Sequence, residues 1–393
     1  MHRLLPVPAR PGLIAGLLCA GLLAAACGYG GGASGTGAAG QAGDAGPAGP
    51  ARAASTAPWL HVSGNKLVNA RGTQVVLHGV NRSGGEFACV QNVGIWNSPM
   101  DQASVSAIKR WHVNAVRVPL NEACWNGRSY VNPAYRGARY QQAVEDYVRL
   151  LNRNGLVAIL DLSFSEGAYT GRSSACSSGQ ALCQKPMPDA AQSIPFWISV
   201  ARAFKGNGAV MFDVFNETWP QAAGGTESQN WRCWLRGGPA CVGISYRVAG
   251  MQALVTAVRS AGANNVIMLG GMWWANDLRQ WLAYEPADPD HNLAASWHSY
   301  NFNACSTAAC WDTQIAPVIG TVPVVVGEMG EKDCASTYIA PLMNWLDARS
   351  TGYLAWAWNA DFACAAGPSL ITDYSGAPTS YGAGYRSHLR SLR

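Results

Sequence analysis

Pro323-Val324-Val325-Val326-Gly327-Glu328 is a run of apolar, largely β-branched residues that ends on a carboxylate. Polar residues do not alternate with the apolar ones, so both faces of such a strand must be covered, as in a parallel sheet sheathed by helices. Eight runs share this texture: residues 75–81, 115–120, 157–163, 210–217, 266–271, 294–300, 322–328 and 353–359. Between them, residues 102–112, 140–154, 188–204, 244–261 and 336–349 carry helical spacing. Strand and helix alternate over about 330 residues, which predicts a (β/α)8 TIM barrel of class α/β. A doubly wound open sheet is the alternative, but no phosphate-binding loop supports it. Leu60-His61-Val62 and Lys66-Leu67-Val68, around Ser63-Gly64-Asn65, predict a short β-hairpin ahead of the barrel. The texture is constant from residue 59 to 393, so one domain is expected there.

The 393 residues are 49% hydrophobic and 13% charged, too apolar for a disordered chain. Lys+Arg 28 against Asp+Glu 23 leaves a thinly spread +5 with no basic run. A nucleic-acid surface needs clustered cations, so that class is set aside. Sixteen Trp and 14 Tyr are more informative, because flat aromatic faces suit sugar rings, although core packing accounts for most of them.

At the N-terminus, Arg3 and Arg10 precede an apolar run, residues 13–26, that ends Ala24-Ala25-Ala26-Cys27. Its 14 residues fall short of the roughly 20 that span a bilayer, and the flanks are those of a secretory signal, residues 1–26. Small residues before a Cys resemble a lipoprotein cleavage box, which would lipidate Cys27. Ala24 stands where a Leu is usual, and an ordinary signal-peptidase cut at the same bond is the rival. Residues 27–58 are rich in Gly and Ala and read as a flexible tether. Gly35-Thr36-Gly37-Ala38-Ala39-Gly40 fits a dinucleotide pattern by composition only, since no strand precedes it. The expected location is extracellular or cell-surface, with membrane contact only through a lipid anchor.

Setting aside Cys19 and Cys27, ten of the 12 Cys remain. An even number in an exported chain reads as a disulfide set, and the parity favours a modified Cys27. Cys176–Cys183, Cys233–Cys241 and Cys305–Cys310 would each close a small loop; Cys89–Cys124 and Cys334–Cys364 follow by elimination. No C-x-x-C and no paired His accompanies them, which argues against zinc.

A barrel keeps its chemistry at the C-terminal ends of its strands. The second run carries Arg117 in Val116-Arg117-Val118-Pro119, costly inside an apolar strand unless paired with a carboxylate. The fourth ends Phe215-Asn216-Glu217-Thr218-Trp219, the sixth Trp297-His298-Ser299-Tyr300, the seventh Gly327-Glu328, and the eighth Trp356-Ala357-Trp358-Asn359. Glu217 and Glu328 would face each other across the mouth. Two carboxylates about 5–5.5 Å apart are what a retaining glycosidase needs, one protonated to assist the leaving sugar and one ionised to attack.

These motifs resemble glycoside hydrolase family 5, the cellulase and mannanase family of retaining (β/α)8 barrels. The resemblance runs from about residue 59 to the C-terminus and starts with Val62-Ser63-Gly64-Asn65-Lys66-Leu67-Val68 and Leu77-His78-Gly79-Val80-Asn81. It implies Glu217 as acid/base, Glu328 as nucleophile, and Asn216 as a partner of the sugar 2-hydroxyl. Arg117, His298 and Tyr300 stand where the family keeps its supporting residues, and Trp358 where it keeps a platform Trp. Ser163 departs from the pattern, since the family has there a His that bonds the sugar in the −1 subsite. Glu166 and Tyr169 are the candidates to compensate.

Among Trp96, Trp125, Trp219, Trp273 and Trp274, expected near the mouth, Trp219 and Trp273 are chosen to stack on sugar. Glu122, Glu166, Glu227 and Glu331 read as loop carboxylates, Glu331 as a solvated charge or a bond to the Lys332 loop; His78 and His112 read as structural. No G-x-S-x-G is present. The expectation is a monomeric, metal- and cofactor-free glycoside hydrolase on β-linked polysaccharide. Endo-β-1,4-glucanase, the family's commonest activity, comes first; β-mannanase or another β-glucanase is the alternative. A non-catalytic glycan-binding lipoprotein on a degenerate barrel is the rival class, with no need to keep both Glu217 and Glu328.

Overall fold

In a computed structural model, which describes residues 57–171, 176–364 and 367–392, eight parallel strands close into a barrel. They are β3 (His78–Asn81), β4 (Ala115–Asn121), β5 (Val157–Phe164), β6 (Val210–Asp213), β7 (Ile267–Gly270), β8 (Leu293–Tyr300), β9 (Val324–Gly330) and β10 (Gly352–Ala355). Each pairs with its neighbours in chain order, and β10 returns to β3 through Tyr353↔His78 and Leu354↔Gly79. Ahead of them, β1 (Leu60–Ser63) and β2 (Lys66–Asn69) form the antiparallel hairpin. The expected secretory signal, Cys27 and the tether up to residue 56 lie outside the described residues; the expected tether end at 58 is corrected, since Ala57 is already buried and its N–H donates to Asn152 O at 3.0 Å. Among those residues, no helix is long and apolar enough to cross a membrane.

Two cores result. One lies between the strands and the surrounding helices, and takes residues such as Val116, Val118, Leu160 and Phe212 from the outer faces of the strands. The other fills the lower barrel with Ala115, Val157, Ile159, Met211, Met268, Ala294, Val325 and Leu354, closed from below by Leu60 and Leu67 of the hairpin. Successive side chains on a strand point to opposite faces. Two residues above that inner plug, the same inward series reads Arg117, Asp161, Asp213 and Ser296, with His298 one step higher, all fully buried. The alternation that packs the floor of the barrel therefore also aims its polar residues at the mouth.

Three strands depart from the expected bounds by three residues or more at one end. The first starts at His78 rather than residue 75. β6 stops at Asp213, so Glu217 stands four residues beyond its end. The backbone nevertheless stays pinned between neighbours, with Val214 N–H donating to Met268 O at 3.1 Å and Asn216 N–H to Leu162 O at 3.0 Å. β10 stops at Ala355 because the chain turns back on itself there, Ala357 N–H donating to Pro368 O at 2.7 Å.

Helix Ser193–Phe204 starts five residues later than expected. Asp189 first spends its carboxylate on the amides of Ala191 and Gln192, at 2.9 and 2.8 Å, in a turn before the helix. Helix Glu227–Arg236, absent from the sequence reading, opens on a capping box between Thr226 and Gln229. Helix Ser380–Ser391, capped by Thr379, packs on the barrel, with Tyr385 Oη donating to Gly79 O of β3 at 2.6 Å. Disulfides join Cys89–Cys124, Cys176–Cys183, Cys233–Cys241, Cys305–Cys310 and Cys334–Cys364.

Candidate active site

Arg117 is the hub of the mouth. From β4 its guanidinium donates Nε to Asp213 Oδ2 at 3.0 Å, Nη1 to Asn81 Oδ1 at 3.0 Å and to Glu328 Oε1 at 2.9 Å, and Nη2 to Asn216 Oδ1 at 2.8 Å. Asp161 Oδ1 lies 2.9 Å from Nη2. The three nearby carboxylates hold the guanidinium firmly in its charged form against burial. Burial, partly offset by Arg117, pushes the Asp161 carboxyl well up. Asp161 and Asp213 were not singled out from the sequence. The signal was there, since each is a charge within an apolar strand at the height of Arg117, affordable only with a partner.

Glu328 reaches the site through a bulge. Along β9 the pairing to β8 steps from Trp297↔Val326 to His298↔Glu328, and the pairing to β10 steps from Tyr353↔Val326 to Ala355↔Met329. The extra residue is absorbed next to Gly327, which turns Glu328 inward although Val325 already points that way. Gly327 is required there, because a Cβ would stand 2.8 Å from Ser296 Oγ and 3.0 Å from His298 Nε2.

Glu217 faces it. One carboxylate oxygen of Glu217, one of Glu328 and one ring nitrogen of His298 all lie within 4.8 Å of one another. His298 Nδ1 is 3.0 Å from Glu217 Oε1 and 3.6 Å from Glu328 Oε2. Burial pushes the Glu217 carboxyl up to about 7, opposed by the Gln184 amide and by Arg117. Burial raises Glu328 as well, but His298, Arg117 and the Tyr300 hydroxyl all oppose it. Burial lowers His298 to about 4, so the imidazole is neutral at neutral pH. Tyr300 Oη donates to Glu328 Oε2 at 2.5 Å, and burial beside two carboxylates keeps the phenol protonated.

Among the described residues this Glu217–His298–Glu328 group is the one cluster of its kind that could ligate a cation. The guanidinium 2.9 Å from Glu328 already supplies the positive charge there. Asn216 accepts from Arg117 through its amide oxygen, which leaves its N–H groups for a ligand.

Arg117, Asn216, Glu217, His298, Tyr300 and Glu328 thus come together; three other expectations are corrected. Ser163 is 3% exposed and its hydroxyl donates to the Asp161 carboxylate, so it faces the Arg117 network rather than a ligand. Trp219 is 5% exposed, stacked on Trp274 and met edge-on by Tyr169, with no ring face left for a sugar. Trp358 is fully buried, edge-on to Trp111 and pressed by Gly376.

Trp356, at the top of β10, is instead the half-buried indole of that pair. Trp273 is 47% exposed. It sits in a left-handed turn in which Trp273, Trp274 and Ala275 all have φ near +57°, a strained backbone of the kind found at ligand sites. The turn is held because Trp274 N–H donates to Thr218 O, next to Glu217, at 3.0 Å.

Neither Glu166 nor Tyr169 replaces the His missing at Ser163. Glu166 is bound by Arg128 Nε and Tyr130 Oη, both at 2.8 Å, and Tyr169 is buried. Glu331 is no solvated charge: it is buried and accepts the amides of Tyr338 and Ile339 at 2.7 Å, capping helix Ile339–Asp347. Glu122 is buried against Ser193 Oγ at 2.6 Å.

A family model, cellulase (glycosyl hydrolase family 5), matches residues 68–362. An endoglucanase of Paenibacillus polymyxa is 24% identical, over 78% of this chain and 81% of its own length. A mannan endo-1,4-beta-mannosidase of Streptomyces lividans is 23% identical, over 78% of this chain and 68% of its own. Among solved structures, a beta-glucanase from Saccharophagus degradans in complex with cellotetraose superposes with a TM-score of 0.66 at 17% identity, covering 87% of this chain and 95% of that one. A beta-mannanase from Thermomonospora fusca gives 0.59 at 18% identity, covering 83% and 93%. At such identities the two structures share the fold with this chain.

Proposed function

The chain belongs to glycosyl hydrolase family 5, and from that premise we propose that it is a retaining β-glycosidase of β-linked polysaccharide, first an endo-β-1,4-glucanase. The observation that carries the mechanism is the approach of the two carboxylates, with an oxygen of each within 4.8 Å of the other. Such an approach suits direct attack on the anomeric carbon, as in retaining enzymes, whose carboxyl groups stand about 5–5.5 Å apart, rather than the about 6.5–9.5 Å of inverting ones.

Glu328, held by Arg117 and Tyr300, attacks the anomeric carbon. Glu217, kept protonated by burial, gives its proton to the glycosidic oxygen as the bond to the leaving sugar breaks. Neutral His298 holds the Glu217 carboxyl in place. In the second half, Glu217 as carboxylate takes a proton from water while the water oxygen bonds to the anomeric carbon and the bond from that carbon to Glu328 breaks, releasing the sugar. The free N–H groups of Asn216 donate to the sugar 2-hydroxyl, and the indoles of Trp356 and Trp273 offer faces on which sugar rings stack.

β-Mannanase is the alternative, supported by the mannan endo-1,4-beta-mannosidases among the relatives. We also read the chain as exported and anchored through a lipidated Cys27. The signal-like N-terminus and five disulfides support export, and cysteine parity supports the anchor.

The test is reducing-sugar release from carboxymethylcellulose, glucomannan, mannan, xylan and β-1,3-glucan, with Glu328→Gln as control. Release from carboxymethylcellulose that the substitution abolishes is the expected result. Release from mannan alone makes the protein a mannanase. Binding without release from any polymer overturns the enzymatic reading in favour of a glycan-binding barrel.

A further inference from the structure

Glu217 is gripped at both oxygens. His298 takes Oε1, and Gln184 Nε2 donates to Oε2 at 2.9 Å. Gln184 comes from the loop between β5 and helix Ser193–Phe204, which also follows Ser163, the position without the family's His. It is not a loose surface amide. Cys183 before it is tied to Cys176, and Lys185 after it is buried with Nζ 2.5 Å from Ser178 O. Pro186 O accepts Trp219 N–H at 3.0 Å, joining this loop to the segment that carries Glu217. Tyr246 Oη then donates to Met187 O at 2.5 Å. Fixed on both sides, the carboxamide is held where the acid/base needs a partner.

We propose that Gln184 is the positioning residue of the acid/base, its N–H fixing the plane of the Glu217 carboxyl and favouring the carboxylate that the second half of the reaction requires. The proposal rests on Glu217 being that acid/base. The other titratable groups that face Glu217 are Arg117 from β4, His298 and Tyr300 from β8, and Glu328 from β9. Arg117 favours the carboxylate, Glu328 opposes it, and neutral His298 and protonated Tyr300 add no net charge. Among the described residues, the Gln184 amide opposes burial at Glu217 most, ahead of Arg117. A donor lost from a carboxylate moves its titration up by about one pH unit.

The experiment is the pH profile of kcat/KM on an aryl β-cellobioside or β-mannobioside for wild type, Gln184→Met, Gln184→Glu and Glu217→Ala, the last with and without azide. Gln184→Met keeps the shape and removes the donor. Its alkaline limb is expected to move up by about one pH unit, with its kcat at pH 6 on a good leaving group about tenfold lower, since deglycosylation then lacks its base. Gln184→Glu, which places a second carboxyl beside Glu217, should move the limb in the same direction. A limb that stays at the wild-type position in both variants overturns the proposal, whatever their Tm. Its failure is separable from that of the reading beneath it. If Glu217 is not the acid/base, Glu217→Ala keeps the limb and gains nothing from azide. If only the role of Gln184 is wrong, Glu217→Ala loses the limb and is rescued by azide, while Gln184→Met titrates as wild type.

Discussion

Tyr300 Oη donates to Glu328 Oε2 at 2.5 Å, on the oxygen that Arg117, 2.9 Å from Oε1, does not reach. The two donors clamp the carboxylate from β8 and β4, so each of its oxygens carries one strong bond before any substrate arrives. A hydrogen bond to a charged group contributes about 1.5–3 kcal/mol. Tyr300→Phe is therefore expected to lower kcat by roughly 10- to 150-fold while the fold persists. Steady-state kinetics beside a far-UV melting curve check this; an unchanged kcat would show that Arg117 alone orients the nucleophile.

Arg117 has a second role, in stability. It is fully buried and, among the described residues, is the one Lys or Arg paired with Asp161, Asp213 and Glu328. Removing one partner from a buried ionic cluster strands the others and costs about 3–5 kcal/mol. Arg117→Ala should lower the urea midpoint at pH 7 accordingly. Lowering the pH should narrow the gap to wild type, because the stranded carboxyls can then take protons. A gap that does not change with pH would mean that lost packing, not charge, sets the cost.

The barrel was legible because its parallel strands are covered on both faces and read as unbroken apolar runs, and because the polar strand ends stand at corresponding heights. Arg117, Glu217 and Glu328 could be found for the same reason. What failed was decided by the chain far from each residue. Trp356 and Trp358 are alike in sequence, yet Trp358 is buried by Gly376 and Trp111, and Leu370 N–H donates to Ala357 O at 2.9 Å as the following loop folds back. Trp219 and Trp274 bury each other through a turn at residues 273–275 that violates local backbone preference, so no local rule could have foreseen it. Gln184 carries no sequence signal at all. Its place depends on a disulfide, a buried Lys and two backbone contacts.

The aromatic corrections separate two Trp that the sequence treats alike. Trp273 is exposed and Trp219 is sealed under Trp274 and Tyr169. Trp273→Ala is expected to raise KM about two- to tenfold with Tm unchanged, the loss of one aromatic stacking contact of about 0.5–1.5 kcal/mol. Trp219→Ala, which empties a core site, should instead destabilise by about 3–5 kcal/mol. If both substitutions act on KM alone, the burial of Trp219 is not what the structure describes.

Glu217 pays for its chemistry in stability, and pH exposes the cost. Its carboxyl titrates at about 7 in the folded protein against 4.5 ordinarily, raised by burial. Below 4.5 both folded and unfolded chains hold the proton, so the group is neutral in the balance. Between 4.5 and 7 the folded chain still holds it while the unfolded chain has lost it, so stability falls as pH rises through that window. Glu217→Gln removes the titration but keeps the shape and most of the hydrogen bonding. The variant should therefore melt close to wild type at pH 4 and above it at pH 8, with the gap opening between 4.5 and 7. Asp161 and Glu122 also carry raised titrations, but they are common to both proteins and cancel in the difference. Glu328 is raised in part by the Glu217 charge, so its relief in the variant at high pH widens the gap in the same direction. Thermal melts of the pair across pH 4–8 decide the matter: a gap that stays flat, or closes as pH rises, would mean that Glu217 is ionised at neutral pH and cannot serve as the acid.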